Sequence, residues 1–251
     1  MLRRVRAILH ADLEATDGHI GRCADFLFDD AYWAIRYLVA DTRKWLPGRK
    51  VLISPGVLND WDWRSDALPV RLSRDGIRQS PSLESNLPVS RQYEKELNAY
   101  YGWAAYWNET YTGGAGAPLL ADAAAREAKN LEAIESAGES HLRSIKEVTG
   151  YHVQARDDVV GHVEDFLLEN LTWAIRYLIV DTGNWIPGRK VLLSPAWAGT
   201  VDWQRRRLHV RMDRRAIENS PVYDRERPLT REDEETLFKH YDVRPYWLDV
   251  E

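Results

Sequence analysis

The sequence predicts a mainly β protein: two small β-barrels in tandem, related by a pseudo-twofold, each followed by a short C-terminal helix. Three observations carry this expectation. Residues 1–111 and 141–251 align without gaps at a constant offset, so that Trp33-Ala-Ile-Arg-Tyr-Leu-Val-Ala-Asp41 returns as Trp173-Ala-Ile-Arg-Tyr-Leu-Ile-Val-Asp181. Roughly forty of about 111 aligned positions are identical, and such a repeat sets domain organisation before any other reading. Within each copy the apolar positions recur with the period of a strand. Pro-Gly and Asp-Gly pairs then punctuate the chain at short intervals, as turns between short strands require.

The elements follow in order. Thr16-Asp17-Gly18 marks a hairpin, copied at Arg156-Asp157-Asp158. Trp33, Ile35, Tyr37 and Val39 give the next strand a strongly apolar face, matched by Trp173, Ile175, Tyr177 and Ile179. Pro47-Gly48 and Pro187-Gly188 turn the chain into strands at 49–54 and 189–194. Ser54-Pro55 and Ser194-Pro195 stop those strands, since proline cannot donate to a central ladder. Further strands are expected at 57–63 and 68–72, and at 197–203 and 208–212. Ser90 and Thr230 are good N-caps for helices over 91–100 and 231–240. Tyr106-Trp107 and Tyr246-Trp247 then close each copy as aromatic plugs or docking points. Residues 112–140 form a Gly/Ala-rich linker whose second half, from Leu119 to Ser136, has helical composition.

Composition narrows the function classes. With 251 residues and a net charge of −5, the chain is not a general nucleic-acid binder by charge. Cys23 is the only cysteine, its repeat partner is Val163, and no disulfide can close within the chain. No signal peptide or apolar run of membrane-spanning length is seen, so a cytoplasmic location is expected.

The motifs resemble those of the PRC-barrel family, particularly its bacterial tandem proteins. In the second copy the resemblance runs through His141-Leu-Arg-Ser144, Val148-Thr-Gly-Tyr151 and Asp165-Phe-Leu-Leu168. It continues through Trp173–Asp181, Trp185-Ile-Pro-Gly-Arg-Lys190 and Ser194-Pro195. The first copy departs at its start, where His10-Ala11 replace Gly150-Tyr151. The resemblance implies a non-enzymatic scaffold or adaptor without a cofactor, because the family has no common catalytic activity.

Candidate partner-binding residues come from the repeat and from charge. The repeated polar set is Arg36, Asp41, Arg49 and Lys50 with Arg176, Asp181, Arg189 and Lys190. It reads either as an internal network, for instance Arg36 with a carboxylate such as Asp25 or Asp41, or as a recognition surface. Trp45 and Trp185 each precede a Pro-Gly turn; they read as interaction hot spots or as indoles folded back over the barrel mouth or the partner copy. Arg205, Arg206 and Arg207 head a basic run on a hairpin edge, suited to RNA, an anionic lipid surface or an acidic partner, or serving only as a solvated edge. The seven histidines form no metal-binding pattern, and no phosphate loop, nucleophile elbow or triad is seen. The expected partners are therefore a protein or a second copy, with RNA as the alternative. A small-molecule or enzyme site in a cleft between the copies is the third reading.

Overall fold

The computed structural model describes residues 1–43, 45–47, 49–58, 67–83, 89–107, 142–183 and 188–248. The chain is mainly β, with two sheets and few short helices. Its strands are β1 (Leu2–Arg4), β2 (Asp12–Ala15), β3 (Gly18–Asp29), β4 (Ala34–Asp41), β5 (Lys50–Ile53), β6 (Ala67–Pro69) and β7 (Leu142–Ser144). They continue as β8 (His152–Gln154), β9 (Val159–Glu169), β10 (Ile175–Asp181), β11 (Lys190–Leu193), β12 (Ala198–Asp202) and β13 (Arg207–Val210). The linker 112–140, the tip of the predicted strand 57–63, and Gly48, Trp185 and Pro187 lie outside the described residues.

The chain forms two compact units whose limits differ from those of the repeats. One comprises Ala7–Lys146, the other Met1–Arg6 with Glu147–Glu251. The reason is an exchange of first strands. β7, which opens the second repeat, pairs with β3 through Leu142↔Asp29, Arg143↔Phe28 and Ser144↔Leu27. β1, which opens the first repeat, pairs with β9 through Leu2↔Glu169, Arg3↔Leu168 and Arg4↔Leu167. The two registers are the same once the repeats are aligned.

In the unit Ala7–Lys146 the strand order is β5-β4-β3-β2-β6, with β7 also on β3. β2 and β6 run parallel, while the β2–β3, β3–β4, β4–β5 and β3–β7 pairs are antiparallel. The other unit has the order β11-β10-β9-β8-β13-β12, with β1 on β9. Long β3 and β9 each serve three partners, which a register shift against β4 or β10 permits by bending the strand. Gly21 and Gly161 sit where a Cβ would lie 2.0 Å from the carbonyl oxygen of Asp41 or Asp181, at φ of +131° and +149°. Only glycine allows that approach.

The core of the first unit contains Leu27, Tyr37, Val39, Leu52, Val89 and Leu97, joined by Leu142 from the exchanged strand. Leu97 comes from the helix Arg91–Tyr101, which Ser90 caps by accepting from the Tyr93 N–H. Its counterpart Arg231–His240 starts on a capping box formed by Thr230 and Asp233. Three short helices among the described residues, Arg74–Gln79, Ile145–Val148 and Arg214–Glu218, are not expected from sequence. They are too short to show a helical period. Trp33 and Trp173 also depart from expectation: each lies in a left-handed turn before its strand, at φ of 52° and 58°. β4 is buried on both faces, and Leu38 on its second face is fully buried.

Candidate interaction surface

The repeated arginines Arg36 and Arg176 lie in structural networks, with partners other than Asp25 or Asp41. Arg36 faces Asp29 at 3.6 Å, and Arg176 bonds Glu169 at 2.5 Å. Each guanidinium also covers a closing aromatic ring, Arg36 over Tyr106 and Arg176 over Tyr246, both at 4.3 Å. Those rings are fastened by a buried helix carboxylate. Tyr106 donates to Glu94 at 2.8 Å, and Tyr246 donates to Glu234 at 2.9 Å. Tyr177 also donates to Glu234, at 2.7 Å, whereas Tyr37 donates to Asn98. Burial pushes the phenols of Tyr37, Tyr177 and Tyr246 far up, so all stay protonated donors. The aromatic pairs are thus plugs of each unit. The reading from sequence missed Glu94, Glu234, Asp29 and Glu169. Its available signal was the acidic residue retained at each aligned position.

Trp45 folds back over its own sheet. Its Nε1–H donates to the Ile20 carbonyl at 2.5 Å, and the guanidinium carbons of Arg74 and Arg78 lie 4.7 and 5.6 Å from the ring centre. Arg49 donates to the carbonyls of Arg78 and Ser80, and Arg189 to that of Ser220. Both arginines therefore pin the loop after a short helix. Lys50 is exposed. Lys190 is buried and bonds Asp181 and Glu164. Asp41 instead turns to Arg43, whose two hydrogen bonds hold its carboxyl at about 2.

Arg205, Arg206 and Arg207 are brought together at one exposed place, the tip of the hairpin β12–β13. Arg205 is tethered to Asp202 at 3.0 Å. Arg206 adopts φ of 53° and lies 5.9 Å from the Tyr151 ring centre. Beside them β12 ends the sheet: among the described residues it pairs only with β13, and its Gly199 and Thr200 are exposed. An open edge next to concentrated positive charge offers both main-chain and ionic contacts.

No group of three or more His, Cys, Asp or Glu placed to hold a metal occurs among the described residues. No described helix is long and apolar enough to cross a membrane. No protein-family model matches the chain, and no curated protein matches it.

Proposed function

We propose that the protein is a non-enzymatic interaction module of tandem PRC-barrel type, which docks an extended acidic segment of a partner protein along β12. The open edge of β12 beside Arg205, Arg206 and Arg207 is the observation that carries this reading. An extended segment would add a strand there by main-chain hydrogen bonds, and its carboxylates would meet the three guanidinium groups. The shared strand order of the two sheets and the repeated motifs support the tandem PRC-type assignment. The dominant polar clusters hold helices and plugs in place, which supports a scaffold over an enzyme.

Fluorescence anisotropy with a labelled decapeptide of alternating Val and Glu tests the reading. Binding should fall about tenfold or more on simultaneous Arg205→Glu, Arg206→Glu and Arg207→Glu substitution. It should fall equally when alternate peptide nitrogens are methylated, because those N–H groups make the ladder. Tight binding of an oligouridylate with no binding of the peptide would transfer the hairpin to RNA and overturn the proposal.

A further inference from the structure

The helices Arg91–Tyr101 and Arg231–His240 differ at their third position, which is Tyr93 in the first and Asp233 in the second. Tyr93 is half-buried and packs against the core of its unit, and its hydroxyl donates to the Pro81 carbonyl at 3.1 Å. Burial raises that phenol, so it stays a donor. Asp233 does not take the same seat. It is shorter, and it is drawn back to the start of its own helix. Its carboxylate accepts from the Thr230 N–H and hydroxyl at 2.9 and 2.7 Å, and from two nitrogens of Arg227 at 2.6 and 2.8 Å.

Beside Asp233 lies a cavity of about 70 Å³ lined by Leu192, Pro221, Tyr223, Leu229, Asp233 and Leu237. Their aligned residues are Leu52, Pro81, Leu83, Val89, Tyr93 and Leu97. Leu52, Val89 and Leu97 belong to the core on which Tyr93 packs, Leu83 packs against that core too, and Pro81 accepts the Tyr93 hydroxyl. The cavity is therefore the seat of the Tyr93 ring without the ring. It has room for about six water-sized atoms, close to the size of a phenol. It is open to ligands: Val222, which also lines it, is 58% exposed.

The lining selects the occupant. Leu192, Leu229 and Leu237 favour an apolar ring, which they remove from water. Asp224 and Asp233 outnumber Arg227, so a neutral ring is preferred to an anionic one. A phenol is neutral at pH 7. We infer that this cavity binds the ring of a para-substituted phenol, seated as Tyr93 is in the other unit, with its hydroxyl donating to the Pro221 carbonyl. The inference is independent of the β12 edge.

Amide NMR on the full chain at about pH 7 tests it, with millimolar p-cresol, the tyrosine side chain as a free molecule, as the probe. The signals of Leu192, Val222 and Thr236 should move and saturate, and those of Leu52 and Glu96 should stay. Asp233→Tyr supplies the ring found in the other unit and should abolish the shifts. Tyr93→Ala opens the sister seat: Leu52 and Glu96 should then respond, and p-cresol should raise the Tm of this variant by more than that of the unaltered chain. That arm decides the matter if Asp233→Tyr fails to fold. p-Methylanisole has no O–H to donate and should bind about threefold to tenfold more weakly. Tighter binding of N-acetyl-tyrosinamide than of p-cresol would assign the seat to a tyrosine side chain and the reverse to a free phenol; either upholds the ring. No saturable shift with p-cresol, shifts that survive Asp233→Tyr, a Tyr93→Ala seat that p-cresol leaves untouched, or equal affinity for p-methylanisole would overturn the assignment.

Discussion

Asp25 and Asp165 occupy aligned positions, and both carboxyls are raised by burial. Asp25 Oδ1 accepts from the N–H groups of Phe26 and Lys146, and Asp165 Oδ1 from those of Phe166 and Arg6, yet their surroundings differ. Three of the substitutions between the repeats bear on the difference. Ser144 against Arg4 decides whether the second oxygen has a partner. Ala24 against Glu164 supplies a carboxylate for Lys190. Arg43 against Gly183 releases Asp181, which then also takes Lys190. In the unit Ala7–Lys146 the result is a closed carboxylate and an exposed Lys50. In the other it is a crevice lined by Arg4, Arg6, Glu164, Asp165, Lys190 and Arg225. The comparison teaches that the scaffold tolerates either state, because the backbone hooks on Oδ1 hold the exchanged strand without the second oxygen.

The exchanged strands offer the largest test of this comparison. Leu142 is 5% exposed in the core, whereas Leu2 is half-buried. Leu142→Ala should cost about 2–5 kcal/mol in denaturant unfolding and Leu2→Ala clearly less. Equal losses would show that the two strands are anchored alike. Next come the glycines: Gly21→Ala and Gly161→Ala should each cost about 1–3 kcal/mol from backbone strain alone, before the clash with the facing carbonyl. A large asymmetry between them would break the equivalence of the two bends.

Exchanging the residues at the carboxylates sharpens the contrast. Ser144→Ala should leave Asp25 Oδ2 unpartnered and cost about 1–3 kcal/mol at neutral pH. Arg4→Ser should gain up to about 1 kcal/mol. The pH dependence has a definite sign. Burial raises the Asp25 carboxyl above 3.8, so its ionisation penalises the folded state. That penalty is absent below 3.8 and grows as pH rises from there to the folded value. The Ser144→Ala loss should therefore fade in acid. A pH-independent loss would show that Ser144 acts by packing alone.

The smallest effect is expected at Arg43. Asp41 is held at about 2, first by the Arg43 hydrogen bonds. Its contribution is present above 3.8 and is lost as pH falls towards 2. Arg43→Gly, which reproduces the other repeat, should move the Asp41 carboxyl upward in an NMR titration. An unmoved value would mean that Lys50 replaces Arg43 fully.

Much of the scaffold was legible in the chain. The caps Ser90 and Thr230, the Pro-Gly turns and the alternation in β4 are local signals, and the structure places helices and strands beside them. Trp33 shows the limit: its side chain continues the alternation, but a left-handed turn removes it from the strand. Arg36 shows another. Sequence demanded a carboxylate partner for a half-buried guanidinium, yet only the register of β3 against β4 selected Asp29 over Asp25 and Asp41.

The sequence by itself determined the repeat, the β character, the helix caps and the basic run at Arg205–Arg207, because each depends on residues close in the chain. Only the tertiary structure decided that first strands are exchanged, that Trp45 folds inward and that Asp165 lacks the partner Asp25 has. Strand pairing across more than a hundred residues leaves no periodic trace. Either repeat could supply Leu-Arg to either sheet, since both begin with it, and the choice rests on the geometry of the whole chain.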